Sequence, residues 1–569
     1  MLPGYGRLIP FEASTELTFL LVLLPGSVRI FGGDMLVAEV PGPWNAGMLP
    51  QLAFTQNAGT LLLLHPAMPP QAITRSEAGA WSVVPFNFTA MPFFRFAPPS
   101  VALSASGTTG SVIVTASAEI FGPGHLGTQF RIAGRRLQVT AVTSATTVTA
   151  TVIDTLASTD TTADWDEAAF SPVHGWPVSA CFHQGRLVFG GSRALPNRLW
   201  FSRTADIGNF DLGEGLDDQA IAFTIVSDQL NAVCAVFAGR HLQVFTSGGE
   251  WMVTGDPLTP AAIQVTRQTR VGSLTAYRVP PIDVDGTTVF VARSGRAVHE
   301  FSYTDLQQAY QANDLALIAR HLIVSPISMA YDSVRRLLHL AMADGSLATL
   351  TIYRAEEVTG WTRQETDGAF RSLAETEGAV YAVVERAGSF RLERFDDAMR
   401  LDAAAIMAGS ADGTDWSGLG HLEGREVAIL ADGAPRDLAM VLNGAITIEP
   451  AVGSVQAGLP FVHVVEPMPP ETVSANGART GPLRLVAVTF RLLETGALSV
   501  DLGQGARPVP FRRLDTPMLD AAPPAFTGDV TLRGLGWRRD SIAPLWRIES
   551  DTPLPFTLLS VTTETRTTD

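Results

Sequence analysis

The sequence contains no lysine: all 40 basic residues are arginine. They stand against 56 acidic residues, which leaves a formal net charge of −16. That balance argues against tight, charge-driven binding of nucleic acid, which needs Lys and Arg to neutralise phosphates. It leaves open a surface past which DNA slides without sticking. Cysteine is almost as scarce. Cys181 and Cys234 both sit in apolar, strand-like runs and read as buried thiols, so a disulfide scaffold is not expected. Charged residues make up only 17 % of the chain against 46 % hydrophobic, a balance that excludes a disordered polyelectrolyte. Long apolar runs are missing too. The run 17–24 is too short to span a bilayer, which takes about 20 residues. Glu12 and Glu16 precede it where a signal peptide would be basic. Pro25-Gly26 then turns the chain back, so the run reads as one strand of a hairpin. No membrane or targeting segment is expected, and the chain reads as soluble and intracellular when made.

What is present is a β-hairpin that keeps recurring. An apolar strand, a turn usually containing Gly and a second strand appear in TFLLVLLPGSVRIF (18–31), LLLLHPAMPPQAITR (61–75) and RLVFGGSRALPNRLWFS (186–202). They recur in HLQVFTSGGEWMVTG (241–255), TTVFVARSGRAVHEFSY (287–303), LLHLAMADGSLATLTIY (337–353) and AVYAVVERAGSFRLERF (379–395). Outside one gap the spacing is roughly 40–55 residues, the interval of propeller blades. Small antiparallel sheets repeated in this way bury their core between neighbours. The expected fold class is therefore all-β, a propeller-like repeat of antiparallel hairpins.

The gap has its own character. Residues 101–170 are rich in Thr, Val, Ser and Gly, as in SVIVTASAEIFGPGHLG, and read as a small β module inserted between blades. Residues 1–100 then hold the first blades and 171–400 the remaining ones. Residues 304–323 read as a helix or irregular structure, with Asp305 and Asp314 as caps and Leu315, Ile318, Ala319 and Leu322 at helical spacing. From 401 to 569 the pattern changes to Asp-Gly and Asn-Gly turns between alternating strands, as in HLEGREVAILADGA (421–434) and VLNGAITIEP (441–450). One or two further β domains are expected there.

The sequence lacks a Walker loop, an HExxH, a paired CxxC and a G-x-S-x-G elbow. His174, Cys181 and His183 lie close in sequence, but metal ligation would need them to converge with a fourth ligand, so they read as strand or turn packing. Asp283 and Asp285 in DVDG, like Asp412 and Asp415 in ADGTDW, lack the further oxygen ligands of a calcium loop and read as turns. Asp166-Glu167 and Asp217-Asp218 are strand neighbours whose side chains point to opposite faces, and read as a solvated edge. Trp200, Trp251 and Trp361 read as core. Arg203, Arg267 and Arg293 are expected to pair with acids between blades or subunits. The compositions of 120–127 and 460–477 are those of bulky apolar loops, which read as ordinary surface loops. No catalytic, metal or cofactor residue is assigned, and the chain is not expected to be an enzyme.

Several stretches resemble a family of tail proteins of short-tailed bacteriophages, the tail nozzle or tail tubular protein B-like family. They include RLIPFEASTE (7–16), LPQLAFTQNAGTLLLLHP (49–66), CFHQGRLVFGGSRALPNRLWFSRTADIGNFD (181–211), VFVARSGRAVHEFSY (289–303) and FTGDVTLRGLGW (526–537). They run in the family's order over most of the chain, and the inserted module resembles the FCCH domain named after ubiquitin-activating enzymes. The resemblance implies a virion protein made in the host cytoplasm. It implies a homohexameric ring at the distal tail that lines or gates the DNA ejection channel, with the loops 120–127 and 460–477 as the candidates for a gate. A tail adaptor protein and tail fibre or receptor-binding proteins are the implied partners, with double-stranded DNA passing without specific binding. The alternative expectation is a propeller that binds or degrades host-surface glycan.

Overall fold

The structure is a computed structural model that describes all residues except 15, 229–230, 276–278, 470–481, 512–520, 538–542 and 568–569, and the side chains of 410–412 and 567. The chain divides into two compact units, Met1–Phe395 and Asp396–Asp569.

The described residues of the first unit form a seven-bladed β-propeller carrying an inserted sheet. Blade one contains Arg7–Ser14, Leu17–Leu24, Ser27–Gly32 and Met35–Pro41, and blade two Ala53–Asn57, Thr60–His65, Met68–Arg75 and Trp81–Pro85. Blade three contains Ser179–His183, Arg186–Gly190, Arg198–Phe201 and Ile221–Thr224. Blade four contains Val233–Ala238, Leu242–Thr246, Gly249–Thr254 and Gln264–Thr269. Blade five contains Ile282–Val284, Thr287–Val291, Val298–Thr304 and Ala309–Asp314. Blade six contains Pro326–Asp332, Leu337–Met342, Leu347–Tyr353 and Val358–Gln364. Blade seven has three strands, Ala369–Thr376, Ala379–Arg386 and Ser389–Arg394. Each recurring hairpin of the sequence is the second and third strand of a blade.

Those two strands lie between neighbouring sheets, which is why their apolar runs do not alternate. Leu61, Leu62, Leu63 and Leu64 are all buried. Leu61 and Leu63 pack on blade one with Phe11, Leu21 and Ile73, while Leu62 and Leu64 pack toward blade three with Phe189 and Trp200. Similar clusters fill the remaining joints. The ring closes where Leu8, Leu20 and Val22 of blade one meet Ala374, Tyr381 and Val383 of blade seven. Leu2 also bridges to Phe390 at the outer edge of blade seven, donating its amide to the Phe390 carbonyl at 2.9 Å.

Residues 304–323 are neither helical nor irregular throughout. Ala309–Asp314 is the outer strand of blade five, and only a single 3-10 turn, Arg320–Leu322, follows. Tyr310 stacks on Phe301 with centroids 4.5 Å apart, and that contact outweighs the helical spacing. Ile318, counted on the apolar face, is 93 % exposed. Asp314 does accept the Ala316 amide, but Asp305 pairs with Arg240.

The inserted sheet has seven strands, in the order Leu103–Ala105, Ser111–Ala116, Thr147–Val152, Arg135–Ser144, Gln129–Ile132, Trp165–Ala168 and Phe93–Phe94. It begins before residue 101, because Phe93 and Phe94 pair with Ala168 and Glu167. Its core holds Val114, Phe130, Leu137, Val139, Val148 and Trp165. Arg95 ties its base together. The guanidinium lies 4.3 Å over the Trp165 ring and donates to the carbonyls of Ala163 (2.5 Å), Trp165 (2.7 Å) and Val101 (2.8 Å).

Among the described residues the second unit contains three sheets. One orders Asp402–Ser417, Ala445–Leu459, Glu426–Ala431 and Ala434–Met440; the second His463–Val465, Arg547–Ser550, Ser499–Asp501 and Arg507–Pro508; the third Phe526–Arg533, Leu483–Thr495 and Leu558–Thr567. Its two turns read from the sequence have the backbone they need: Asp432-Gly433 and Asn443-Gly444 each have two successive positive φ values.

Candidate functional site

Two features of the first unit could carry chemistry. The larger is a cavity of about 710 Å³ bounded by the first strands of blades two, three and four and by Thr275 and Val279–Asp283 leading into blade five. Its lining is mostly apolar and includes both cysteines. Burial pushes the Cys181 thiol well above its ordinary pKa, so it stays protonated and unreactive.

The second is a cluster the sequence did not bring together. His125, Glu167 and His174 place one nitrogen or oxygen each within 4.8 Å of the others. Glu167 Oε2 lies 3.1 Å from His174 Nε2 and 3.4 Å from His125 Nε2. Glu167 comes from the strand Trp165–Ala168, paired with Phe130 on one side and Phe94 on the other. Alternation along that strand sends Asp166 the other way, to a bidentate pair with Arg131 at 2.9 and 2.6 Å. The opposite-face reading of Asp166 and Glu167 is correct. The solvated-edge reading is not, because Glu167 is only 5 % exposed.

His125 ends a short 3-10 turn, Pro123–His125, in the loop that reads as apolar in the sequence. Phe121 and His125 are buried, which leaves Leu126 as the exposed large apolar side chain of that loop. Gly124 packs so closely on Val173 that a Cβ there would stand 2.9 Å from a Val173 methyl. His174 sits in a turn closed by the Gly175 amide on the Ser171 carbonyl at 2.7 Å. Gly175 has φ +83°, and a Cβ there would stand 2.7 Å from Arg193 Cβ, so a side chain would be strained and crowded. The His174 ring stacks flat on Phe96, with centroids 3.5 Å apart.

Electrostatics at Glu167 are unusual for a buried carboxylate. Burial pushes its pKa up, and the two facing imidazoles outweigh that and hold it below the ordinary glutamate value. Yet neither Glu167 Oε2 nor His174 Nε2 completes a hydrogen bond of proper geometry, although both are fully shielded from solvent.

The other sequence candidates are dispersed. Cys181 lies in the joint of blades three and four, and His183, whose pKa burial lowers, ends the same strand; neither joins His174. Asp283 accepts the Gly286 amide at 3.0 Å in a plain turn. Asp285 accepts from Tyr331 (2.9 Å) and Arg336 (2.7 Å). Asp415 accepts from Thr447 at 2.8 Å, and the Asp412 side chain lies outside the described residues. Asp218 pairs with Arg203, and the Asp217 carbonyl accepts from the buried Arg186. Arg267 pairs with Asp228 at 3.0 Å, whereas Arg293 donates to the Ser247 carbonyl at 3.1 Å. Trp200 and Trp251 are buried, and Trp361 donates to the Leu315 carbonyl. In the segment 460–477, Phe461, Val462 and Met468 are exposed, and 470–477 lie outside the described residues.

The sequence matches no family model and no curated protein. Among solved structures it is similar to the β-propeller domain of Cps50 (Swd1) from Myceliophteria thermophila, at 11 % identity over 69 % of this chain and 96 % of that one, with a TM-score of 0.35. BamB from Moraxella catarrhalis aligns at 12 % identity over 69 % and 98 %, with a TM-score of 0.32. Apo AztD from Citrobacter koseri aligns at 11 % identity over 68 % and 94 %, also with a TM-score of 0.32.

Proposed function

We propose that this chain is a structural, ring-forming protein of a bacteriophage tail, a nozzle through which DNA leaves the particle. Copies of the chain, in a homohexamer, surround the channel, and adaptor and fibre proteins bind the ring. The single observation that carries the assembly reading is the surface of the second unit. Ile406, Leu438, Met440, Phe461, Val462 and Val464 are each about half exposed or more there. They accompany long strands at sheet edges, Asp402–Ser417 and Leu558–Thr567, whose open backbone groups are templates for pairing with another chain. The charge supports the conduit reading, since six copies multiply a net −16 and an acidic lumen repels phosphate. The absence of lysine supports it too, because flexible ammonium groups are missing from any path that DNA would take. The ordered run of segments that resemble the nozzle family supports the placement in the tail.

The test is the mass of the purified chain in solution, followed by imaging. A hexameric ring with an axial channel supports the reading. A stable monomer that binds or cleaves a surface glycan overturns it in favour of the glycan alternative.

A further inference from the structure

We propose that His125, Glu167 and His174 form a binding site for one divalent transition-metal ion, zinc by its chemistry, which clips the inserted sheet to the propeller. The site is independent of the nozzle reading. The inserted sheet supplies His125 and Glu167, and the turn entering blade three supplies His174.

The ligand set is that of borderline metals. Two imidazole nitrogens and one carboxylate oxygen suit Zn²⁺, whereas Ca²⁺ and Mg²⁺ take oxygen almost alone. The spacing fits as well. Bonds of about 2.0–2.1 Å in a tetrahedron put neighbouring ligand atoms about 3.3 Å apart. The two edges at Glu167 Oε2 are 3.1 and 3.4 Å, and the edge between the two imidazoles is within 4.8 Å.

The polar bookkeeping points the same way. Glu167 is nine-tenths buried, no arginine among the described residues pairs with it, and its Oε2 and His174 Nε2 face each other without completing a hydrogen bond. A buried carboxylate left like this is costly, and a shared cation removes the cost. The imidazoles are also held as metal ligands are held. Gly122 offers His125 Nδ1 both its amide (2.9 Å) and its carbonyl (3.2 Å). With Nδ1 protonated and donating to the carbonyl, the Nε2 lone pair is free for the ion. His174 is fixed by Phe96 and by its turn. His174 is the least buried of the three, with 12 % of its side chain exposed against 7 % for His125 and 6 % for Glu167, and the fourth position is left to a water that enters with the ion.

The experiment uses the full, tag-free chain, stripped with chelator and then given Zn²⁺ alone. The proposal expects about one zinc per chain after gel filtration, and a melting temperature raised by several degrees. Glu167→Gln and His174→Asn should each abolish retention and the shift. Zinc that fails to bind the wild-type chain overturns the proposal, and so does zinc that binds both folded variants as well as wild type. If the variants do not fold, Co²⁺ on the wild-type chain decides. Intense visible absorption from a four-coordinate ion supports the site, and a weak six-coordinate spectrum or none contradicts it.

Discussion

The Leu8 amide donates to Ser372 Oγ at 3.0 Å, joining the first strands of blades one and seven across 364 positions of sequence. The same device recurs around the ring. The Leu373 amide donates to Ser328 Oγ at 2.9 Å, and the Val236 amide to Ser179 Oγ at 3.0 Å. In each pair one blade's serine satisfies the next blade's backbone. A first strand packed against its neighbour has amides that no strand of its own blade reaches, and a short hydroxyl side chain meets one of them without prising the blades apart.

Ser372→Ala removes the acceptor and leaves the Leu8 amide buried and unpaired, which costs about 1–3 kcal/mol. Urea unfolding of the purified chain should show that loss, and proteolysis should begin at the N-terminal strand. A variant as stable as wild type would mean the closure rests on the apolar cluster alone.

Stability should fall in mild acid through His339. Its Nδ1 pairs with Thr349 Oγ1 at 2.9 Å, the hydroxyl donates on to Gln364, and burial pushes the imidazole pKa down to about 4. An unfolded imidazole takes its proton near pH 6.5, roughly its model-peptide value. The contribution is therefore full above that pH and is lost as the pH falls toward 4, on the order of 3 kcal/mol in all. Melting curves between pH 7 and pH 4 check this, and His339→Asn should flatten the dependence. An unchanged slope in that variant would assign the acid sensitivity elsewhere.

Arg95→Lys should loosen the inserted sheet. One ammonium cannot reproduce a planar fork that reaches carbonyls on both sides of the sheet's base and stacks on Trp165. The expected cost is about 2 kcal/mol, within the range for hydrogen bonds to a charged donor. It would be read as faster hydrogen exchange confined to residues 95–168. Exchange at the wild-type rate there would contradict the role given to Arg95.

Phe461→Asp combined with Val464→Asp should lower self-association at least tenfold while leaving the melting temperature nearly unchanged, because both side chains are about half exposed. Sedimentation at matched concentrations measures the first and calorimetry the second. Assembly at wild-type strength would place the interface elsewhere.

Much of the propeller was readable because a strand buried on both faces must be apolar along its length, as 61–64 are. The outer strands were less so: Ala309–Asp314 carries only Tyr310 into the core, and its neighbours carry a spacing that imitates a helix. The His125–Glu167–His174 cluster was not readable. Its members lie on three separate segments and meet only because Trp165–Ala168 returns beside Gln129–Ile132 and the following turn folds back over the loop at 120–127. Strand alternation did separate Asp166 from Glu167, but alternation alone does not say which face is covered.

The most direct test of the account is the mass and symmetry of the assembled protein, measured on the purified chain by native mass spectrometry and imaging. A closed ring of six copies around an axial channel is the expected result. A chain that stays monomeric at every concentration reached would contradict it.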